Sequence, residues 1–501
     1  MYSSENSLIS NVSTTDCEFG VCVQYSSHCC VFNLTSSLTT IPVYGRDSSY
    51  LILSDSTIDG GRYGVLLYTV NDSTISNTTI WGCEKHGIIA EVHSTNLTLT
   101  HNTIHSCPYG IHMDNVSNSF VRYNTVFNDT HSGIYGAYLN NVFIENNTGY
   151  DNNFTVWTRV SSGTVVRDNT ASSCRIYSYQ VSFDDHGLFE NNTGTEGLLL
   201  AFSDSTRITN NTLEGLYGIV AYNTTSSIIQ NNSISARFGV VITNTTFWSN
   251  VKLLNLKMKR LKVKGVKKEL KEQLVLMYEL GITRPYFTNK SGAVEPPGFY
   301  NLPDHNTVVG NTISGDIGVV VTGVENNVVG NRVDAKLGVV VQSVPESRAF
   351  NNSIRDNEIS ANSGIVIAGL TEERLTNCHI QNNSLDTKLG ITVWRNAQTE
   401  ISDNFIQSTK FGTVVIGDVG TPFAYVVHNR YEGFSGALVF KRHGCELHYN
   451  DFGNTSVGVW GITPQRVNAE YNWWGSPRGP SPRTSMAIGN VDFRPWLETP
   501  P

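Results

Sequence analysis

Three aspartates have the residue type and the spacing for acid–base chemistry. Asp184 and Asp185 are adjacent, and Asp204 lies about one repeat further along the chain. Counted back from the Asn that recurs in each repeat, Asp185 and Asp204 are equivalent, so stacked repeats would place their carboxylates about 5 Å apart. Such a pair could act as acid and nucleophile in glycosidic-bond cleavage, or share one proton. The alternative is that these aspartates only stabilise a turn, because Ser161 and Asn223 occupy the equivalent turn position in other repeats.

Histidines and cysteines gather in another part of the chain, where they could bind a soft metal. Imidazole and thiolate suit Cu or Zn, and the set falls within about two repeats. It comprises Cys83, His86, His93, His101, His105, Cys107 and His112. His86 and His112 take different places in their repeats, so the set need not converge. Cys83 and Cys107 come shortly before successive repeat glycines and could be neighbouring core thiols or a disulfide. We therefore expect no resident metal and no cofactor.

Four further cysteines lie in one short opening stretch, at Cys17, Cys22, Cys29 and Cys30. The chain has nine cysteines, an odd count, so at least one has no partner within the chain. The four lack the paired Cys-x-x-Cys spacing of a zinc site. Disulfides are favoured here, with free thiols and metal binding as the alternatives.

A repeat of about 22 residues must position all these side chains. Its first mark is a Gly followed by aliphatic residues, as at Gly64, Gly110 and Gly338, and its second is an Asn followed by a polar and an apolar residue, as at Asn102 and Asn383. Each unit is too short for a crossover helix, and its strand-like alternation is broken by turn formers. Stacked coils would pair every strand with the coils above and below, and would align the Asn side chains as a ladder.

This pattern resembles the right-handed parallel β-helix proteins, a group that includes NosD-like periplasmic proteins and the carbohydrate-binding and sugar-hydrolase β-helices. The resemblance covers nearly everything except about 250–305 and implies an all-β solenoid of about 20 coils. Polygalacturonase-like members carry paired Asp and a Gly-His-Gly, for which Asp184–Gly187 is the nearest candidate, although the other motifs are absent. NosD-like proteins are linked to copper, which is the reason for weighing the metal interpretation.

The C-terminal stretch carries a second resemblance. Tyr471-Asn472-Trp473-Trp474-Gly475 and the later Pro495-Trp496 look like the closing segment of secreted prokaryotic β-helix proteins. Bulky Trp and Pro there would cover the core and the unpaired strand edges that a solenoid end exposes. An aromatic platform for sugars is the alternative.

The segment at about 250–305 interrupts the repeat and is rich in lysine. Residues 251–264 alternate apolar and basic, which predicts a strand, and 266–281 predict a helix with one apolar stripe. Its lysines could form a patch for an anionic partner, or could be solvated on a flap that packs on the solenoid. We expect a β-helix over 1–249 and 306–470, an insertion at 250–305 and a cap at 471–501.

The residue two places after the repeat Gly should point out of the coil, and in later coils it is apolar. An exposed apolar stripe of that length needs a cover, such as the insertion, an unusual packing of the coil, or another subunit in a homotrimer. The positions are His112, Tyr135, Val220, Val241, Val320, Val340, Val366, Val414 and Leu438.

Composition limits the class of function. Charged residues make up 16% and the formal net charge is −8, which argues against a general nucleic-acid binder. No run of ~18 apolar residues predicts a membrane-spanning helix. No secretory signal is visible at the start, which suggests a truncated start. About eighteen Asn-x-Ser/Thr sequons are potential N-glycosylation sites and are compatible with a glycoprotein.

We expect an extracellular or cell-surface solenoid that binds a polysaccharide or surface glycan, or that has a structural, adhesin-like role. A non-catalytic role is favoured. The alternatives are a polysaccharide lyase or glycoside hydrolase using Asp184, Asp185 and Asp204, a viral spike, or a NosD-like periplasmic metal-handling protein.

Overall fold

The computed structural model describes residues 1–243, 304–342, 351–368, 375–394, 397–416, 423–440 and 444–501. All the regular secondary structure in these ranges is β-strand, and every strand pairing is parallel. This confirms the expected all-β solenoid. It has about 18 turns, close to the expected 20. The chain divides into two compact units, Met1–Arg237 and Phe238–Pro501. The strand and helix expected within 251–281 lie outside the described residues.

In the first unit most coils contribute one strand to each of three parallel sheets. Sheet 1 comprises β1 (Leu8–Ser10), β4 (Cys30–Phe32), β7 (Ile52–Ser54), β10 (Thr74–Ser76), β14 (Thr98–Thr100), β18 (Phe120–Arg122), β21 (Phe143–Glu145), β24 (Val165–Arg167), β27 (Leu188–Glu190), β30 (Arg207–Thr209) and β32 (Ile228–Gln230). Sheet 2 comprises β2 (Ser13–Thr15), β5 (Thr35–Ser37), β8 (Thr57–Asp59), β11 (Thr79–Trp81), β15 (Thr103–His105), β19 (Thr125–Phe127), β22 (Thr148–Tyr150), β25 (Thr170–Ser172) and β28 (Thr193–Gly194). Sheet 3 comprises β3 (Phe19–Gln24), β6 (Ile41–Ser49), β9 (Tyr63–Asn71), β12 (His86–Glu91), β13 (Ser94–Thr95), β16 (Tyr109–Asp114), β17 (Val116–Ser117), β20 (Ser132–Ala137), β23 (Phe154–Ser162), β26 (Tyr177–Asp185) and β29 (Leu198–Ala201).

From β31 (Thr212–Tyr222) and β33 (Ser233–Thr243) onward, one long strand replaces the separate strands of sheets 2 and 3. The long strands of the second unit are β35 (Thr312–Thr322), β37 (Arg332–Gln342), β39 (Glu358–Ala368), β41 (Ser384–Trp394), β43 (Phe405–Ile416), β45 (Arg430–Phe440) and β47 (Asp451–Ile462), followed by the short β49 (Met486–Gly489). They alternate with β34 (Thr307–Val309), β36 (Asn327–Val329), β38 (Asn352–Arg355), β40 (Leu375–Gln381), β42 (Ala397–Ser402), β44 (Phe423–Val427), β46 (Gly444–His448), β48 (Val467–Asn468) and β50 (Val491–Asp492).

The repeat glycines stand where successive coils approach most closely. A Cβ on Gly64 would lie 2.6 Å from the carbonyl oxygen of Gly87, and one on Gly87 would lie 2.7 Å from that of Gly110. No side chain fits there, which explains the first mark of the repeat. The following aliphatic residue points inward, as Val65 and Ile111 show with no exposed surface.

Asparagines stack in a buried ladder beside the strands, as expected. Each Oδ1 accepts the backbone N–H and the Nδ2 of the Asn one coil earlier, at about 3 Å. In the first unit the members are Asn102, Asn124, Asn147, Asn169, Asn192, Asn211 and Asn232. In the second unit they are Asn311, Asn331, Asn357, Asn383, Asn404, Asn429, Asn450 and Asn472.

The apolar positions of the outward stripe are buried within the single chain. Val220 is 9% exposed, and Val320, Val414 and Leu438 are at most 1% exposed. Val414 and Leu438 belong to a buried cluster with Leu389 and Phe411. The side chains of Ile416, Trp460 and Ile462 pack against this cluster. No second copy is needed to cover these side chains, so the homotrimer has no support from the stripe and stays a prediction.

Two local contacts mark the C-terminal end and the site of the insertion. Trp474 has no exposed surface and contacts Phe452 and Phe493, with ring centroids 5.4 and 6.3 Å away, as the cap interpretation expects. Thr322 Oγ1 donates to the carbonyl oxygen of Ile242 at 3.2 Å. β33, which ends just before residues 244–303, and β35 are therefore neighbours.

Candidate functional site

Five strands of sheet 3, β9, β12, β16, β20 and β23, bring aromatic and charged side chains into three columns. Register follows from the parallel pairing, so residues of one column lie about 4.8 Å apart along the solenoid. Column one is Tyr63, His86, Tyr109, Ser132 and Phe154; column two is Leu66, Ile89, His112, Tyr135 and Trp157; column three is Tyr68, Glu91, Asp114, Ala137 and Arg159. We name as the aromatic face the residues Tyr63, His86, Glu91, Tyr109, His112, Asp114, His131, Tyr135, Trp157 and Arg159.

Five of the rings form a continuous stack along the solenoid. The order is Tyr63, His86, Tyr109, His131 and Trp157, with successive centroids 5.6, 5.0, 4.3 and 5.2 Å apart. The interplanar angles of 5° to 32° are those of stacked or tilted rings. All but the buried His86 are half-buried, so each presents part of its surface to solvent.

Two further rings meet this stack edge-on. His112 lies 4.6 Å from His86 at 65°, and Tyr135 lies 4.8 Å from His112 at 88°. Tyr135 also meets Trp157 at 5.1 Å and 76°. Edge-to-face contacts of this kind are favoured by the ring quadrupole. The seven rings therefore hold one another in place in a single cluster.

Two imidazoles point their ring nitrogens at each other within this cluster. Nδ1 of His86 lies 3.2 Å from Nδ1 of His112. Burial, with the charges of His112 and Lys85, lowers the pKa of His86 to about 3. Burial, with the charge of His131, lowers the pKa of His112 to about 4. Both rings are therefore neutral near pH 7, and one nitrogen of the facing pair carries a lone pair.

Two carboxylates and one guanidinium border the rings. Ala90 pairs with Met113, so the next residues, Glu91 and Asp114, are neighbours on adjacent coils. Burial raises the pKa of the Glu91 carboxyl, and the charge of Asp114 raises it further. Arg159 is exposed and hydrogen-bonds to Tyr135, whose pKa is raised by burial and lowered by the guanidinium. The face thus combines apolar rings with polar groups of both signs.

The three aspartates predicted as catalytic separate into two environments. Asp185 and Asp204 are bridge partners on adjacent coils, which confirms their predicted stacking, and Thr225 donates to Asp204 Oδ1 at 2.7 Å. Asp184 points the other way: it has no exposed surface, and neither carboxylate oxygen has a hydrogen-bond partner among the described residues. Burial, then the charge of Asp185, raises the pKa of Asp184 to about 7. Asp184 is thus inaccessible to a polymer, while Asp185 and Asp204 remain accessible.

The histidines considered as metal ligands are only partly brought together. His86 and His112 meet, because their long side chains reach diagonally between columns one and two. His101 instead stacks on Tyr123, and His105 lies between Trp81 and Phe127 on sheet 2. The expectation that the whole set need not converge is confirmed: His86 and His112 take different places in their coils, as expected, although their side chains meet.

The cysteines are all within the described residues, and each carries a free thiol. Cys83 and Cys107 are buried neighbours, as expected; the Cys83 thiol donates to Gly60 O at 3.6 Å, and the Cys107 thiol donates to His105 O at 3.4 Å. The disulfides favoured for the opening stretch are absent, because its cysteines occupy different places in the coil: Cys17 is exposed, while Cys29 is buried.

Sequence reasoning missed the residues that make the aromatic face a site. Tyr109, Trp157, Glu91, Asp114 and Arg159 carry no local motif. The signal that could have found them is the register of the repeat, since aligning the coils on their glycines places Tyr135 and His112 in one column.

Two protein-family models match the chain. One, described as a right handed beta helix region, matches residues 1–135, 43–194 and 92–234. The other, described as periplasmic copper-binding protein (NosD), matches residues 286–457. No curated protein sequence matches the chain.

Several solved structures are similar to the chain at low identity. DFA-IIIase from Arthrobacter chlorophenolicus A6 in complex with GF2 is 10% identical over 47% of this chain and 80% of that chain, with a TM-score of 0.36. XylC in complex with xylose is 11% identical over 59% of this chain, with a TM-score of 0.33. The chain spans 51% of the length of XylC.

Within the residues that the second family model matches, the described group of metal-ligating side chains fits copper poorly. One group of three metal-ligating side chains lies close together in the described part of the chain: Asp304, His305 and Glu325. His305 Nδ1 lies 2.5 Å from Asp304 Oδ1, and Nε2 lies 2.5 Å from Glu325 Oε2. Because both ring nitrogens face a carboxylate oxygen, neither is free to bind copper, and we derive no function through this group.

A membrane-spanning helix is not found among the described residues. Their parallel coils, the glycine and asparagine repeat and the two matching family models agree with one another. The chain belongs to the right-handed parallel β-helix repeat proteins, with a NosD-like stretch in its second half.

Proposed function

We propose that the aromatic face of sheet 3 binds a glycan. The observation that carries this proposal is the cluster of seven rings that lies beside Glu91, Asp114 and Arg159 on one surface. Half-buried aromatic rings offer apolar surface to the C–H faces of sugars, and a few fixed polar groups can bond to hydroxyls.

The rigidity of the cluster supports binding. The rings pack on one another and on strands whose backbone hydrogen bonds are satisfied by adjacent coils, so little side-chain freedom is lost when a ligand binds. The columns also repeat along the solenoid, which matches a ligand that is itself a chain of similar units.

The charges favour a neutral glycan over a polyuronate. Glu91 and Asp114 are adjacent carboxylates, and the charge of Asp114 already raises the pKa of Glu91. A further carboxylate on the ligand would add like-charge repulsion at this place. We include an extracellular or periplasmic location in the proposal, supported by the periplasmic description of the second matching family model.

A glycan panel with paired tryptophan variants tests the proposal. Trp157→Ala removes one end of the ring stack and should weaken binding by about tenfold, since one aromatic contact contributes about 1 kcal/mol or more. Trp81→Ala is the matched control, because Trp81 is also half-buried but lies on sheet 2, stacked on His105. Isothermal titration calorimetry provides the measurement. Loss of binding in Trp81→Ala with none in Trp157→Ala would contradict the proposal.

Cleavage of the bound glycan is the second candidate function, and the pair of Glu91 and Asp114 favours it. Carboxyl groups about 5 Å apart are the arrangement of retaining glycosidases, in which a protonated acid donates to the leaving oxygen and a carboxylate attacks the anomeric carbon. Burial raises the pKa of Glu91, which suits the acid. Reducing-end release should disappear in Glu91→Gln, whereas the rival hypothesis predicts that it disappears in Asp185→Asn.

A further inference from the structure

The two facing imidazoles of the aromatic face have a geometry that glycan binding does not require. Nδ1 of His86 and Nδ1 of His112 lie 3.2 Å apart, and the rings meet at 65°. The two nitrogens therefore face each other between adjacent coils. We propose that His86 and His112 together bind a divalent d-block metal ion such as Zn²⁺ through their Nδ1 atoms.

The nitrogen separation agrees with metal coordination. Zn–N bonds are about 2.0–2.1 Å, so two nitrogens at a tetrahedral angle lie about 3.3 Å apart. The observed separation of 3.2 Å is close to this value. Each neutral ring carries one proton, and binding requires only that both protons reside on Nε2. Water or ligand hydroxyls would fill the remaining positions.

The rings around the pair hold it in place. Tyr63 stacks on His86 at 5.6 Å and 5°, and Tyr109 contacts both imidazoles, at 5.0 and 5.3 Å. Tyr135 closes the other side of His112 at 4.8 Å. Locked rotamers reduce the entropy that two side chains lose when they bind one ion.

The electrostatic surroundings contain groups of both signs. Lys85 and His131 act on the pair as positive or potentially positive groups, because they lower the pKa values of His86 and His112. Asp114 lies two residues after His112 on the same strand, and Glu91 lies on the adjacent coil.

The pair lies outside residues 286–457, which the copper-binding family model matches. The argument therefore rests on the geometry of this site alone. It is also independent of whether the face binds a glycan, because the metal is titrated without any sugar present.

Calorimetric titration of the full chain with Zn²⁺ is the test. We expect one site per chain, and at least about tenfold weaker binding in His86→Gln and in His112→Gln, since each loses one of two protein ligands. His101→Gln is the matched control, because His101 is an exposed imidazole that stacks on Tyr123. Cu²⁺ electron paramagnetic resonance should show two coordinating nitrogens in the wild type and one in either variant.

Three results would overturn the proposal: no Zn²⁺ binding by the wild type, unchanged binding in the double variant, or an equal loss in His101→Gln. Unchanged binding in the double variant would place the bound metal at other residues. Far-UV circular dichroism checks folding. If the buried His86→Gln variant unfolds, the half-buried His112→Gln decides the question.

Discussion

Replacing Asn147 by Ala should strongly destabilise the coils on either side of it. The Asn147 side chain takes part in five hydrogen bonds: Nδ2 donates to Val121 O, Glu145 O and Asn169 Oδ1, and Oδ1 accepts from the backbone N–H and Nδ2 of Asn124. The distances lie between 2.9 and 3.1 Å, and the side chain is 1% exposed, so water cannot replace these partners.

The expected loss follows from this count. A buried hydrogen bond contributes about 1 kcal/mol net, so the free energy of local unfolding should fall by about 5 kcal/mol. Asn147→Ser should lose less, about 3 kcal/mol, because a serine Oγ can still accept the backbone N–H of the preceding coil and donate to the carbonyl oxygen two residues earlier, as Ser56 donates to Ser54 O. Ser56 already does so in the same column, where its Oγ accepts from the N–H of Leu34 at 3.1 Å.

Native-state hydrogen exchange is the appropriate assay, since a solenoid of stacked coils need not unfold in one step. A loss of 5 kcal/mol raises the exchange rate of the Asn124 amide by about three to four orders of magnitude. Asn146→Gly is the control: Asn146 is exposed, and its φ of 55° suits glycine. If Asn147→Ala exchanged no faster than Asn146→Gly, the ladder would not carry the stability assigned to it.

Three further predictions concern buried positions. The raised pKa of Asp184, about 7, exceeds its unfolded value of about 3.9, so the free energy of unfolding should fall by about 3 kcal/mol as pH rises from 4 to 7. Asp184→Asn should remove this part of the pH dependence in urea unfolding, and an unchanged slope would contradict it. Trp474→Ala should lower the melting temperature through a loss of about 3–5 kcal/mol, because Trp474 has no exposed surface; a smaller effect than that of the half-buried Trp81→Ala would refute its role in the cap. Gly110→Ala should cost at least about 1–3 kcal/mol by the same unfolding assay, because its Cβ would lie 2.5 Å from the backbone oxygen of Gly133, and wild-type stability would disprove the close approach.

The fold could be predicted from the sequence because every coil repeats the same local choices. The glycines, the inward aliphatic residues and the Asn at each turn all indicate one register, and the structure agrees at Gly64, Val65 and Asn102. Such agreement between local and global preferences is the property of a sequence that specifies one structure. The insertion interrupts the repeat and lies outside the described residues.

The site could be predicted only in part, because it depends on contacts between columns. The stacking of Asp185 on Asp204 followed from counting residues along the repeat. The meeting of His86 and His112 did not, since it joins two different positions on adjacent strands. The burial of Asp184 was missed for a related reason: alternation along β26 turns adjacent aspartates to opposite sides of the strand.

The hydrogen bond from Thr322 to the Ile242 carbonyl places Thr322 beside the end of β33, and the bridge between Val324 and Asp304 places Asp304 beside the residue two positions later. Ile242 and Asp304 therefore each lie one strand spacing, about 4.8 Å, from the same short stretch, residues 322–324. An inserted domain whose own N- and C-termini lie close together can be exchanged for residues 244–303 without altering the register of the coils. Recombination can therefore replace the segment 244–303 while the coils of the β-helix stay unchanged.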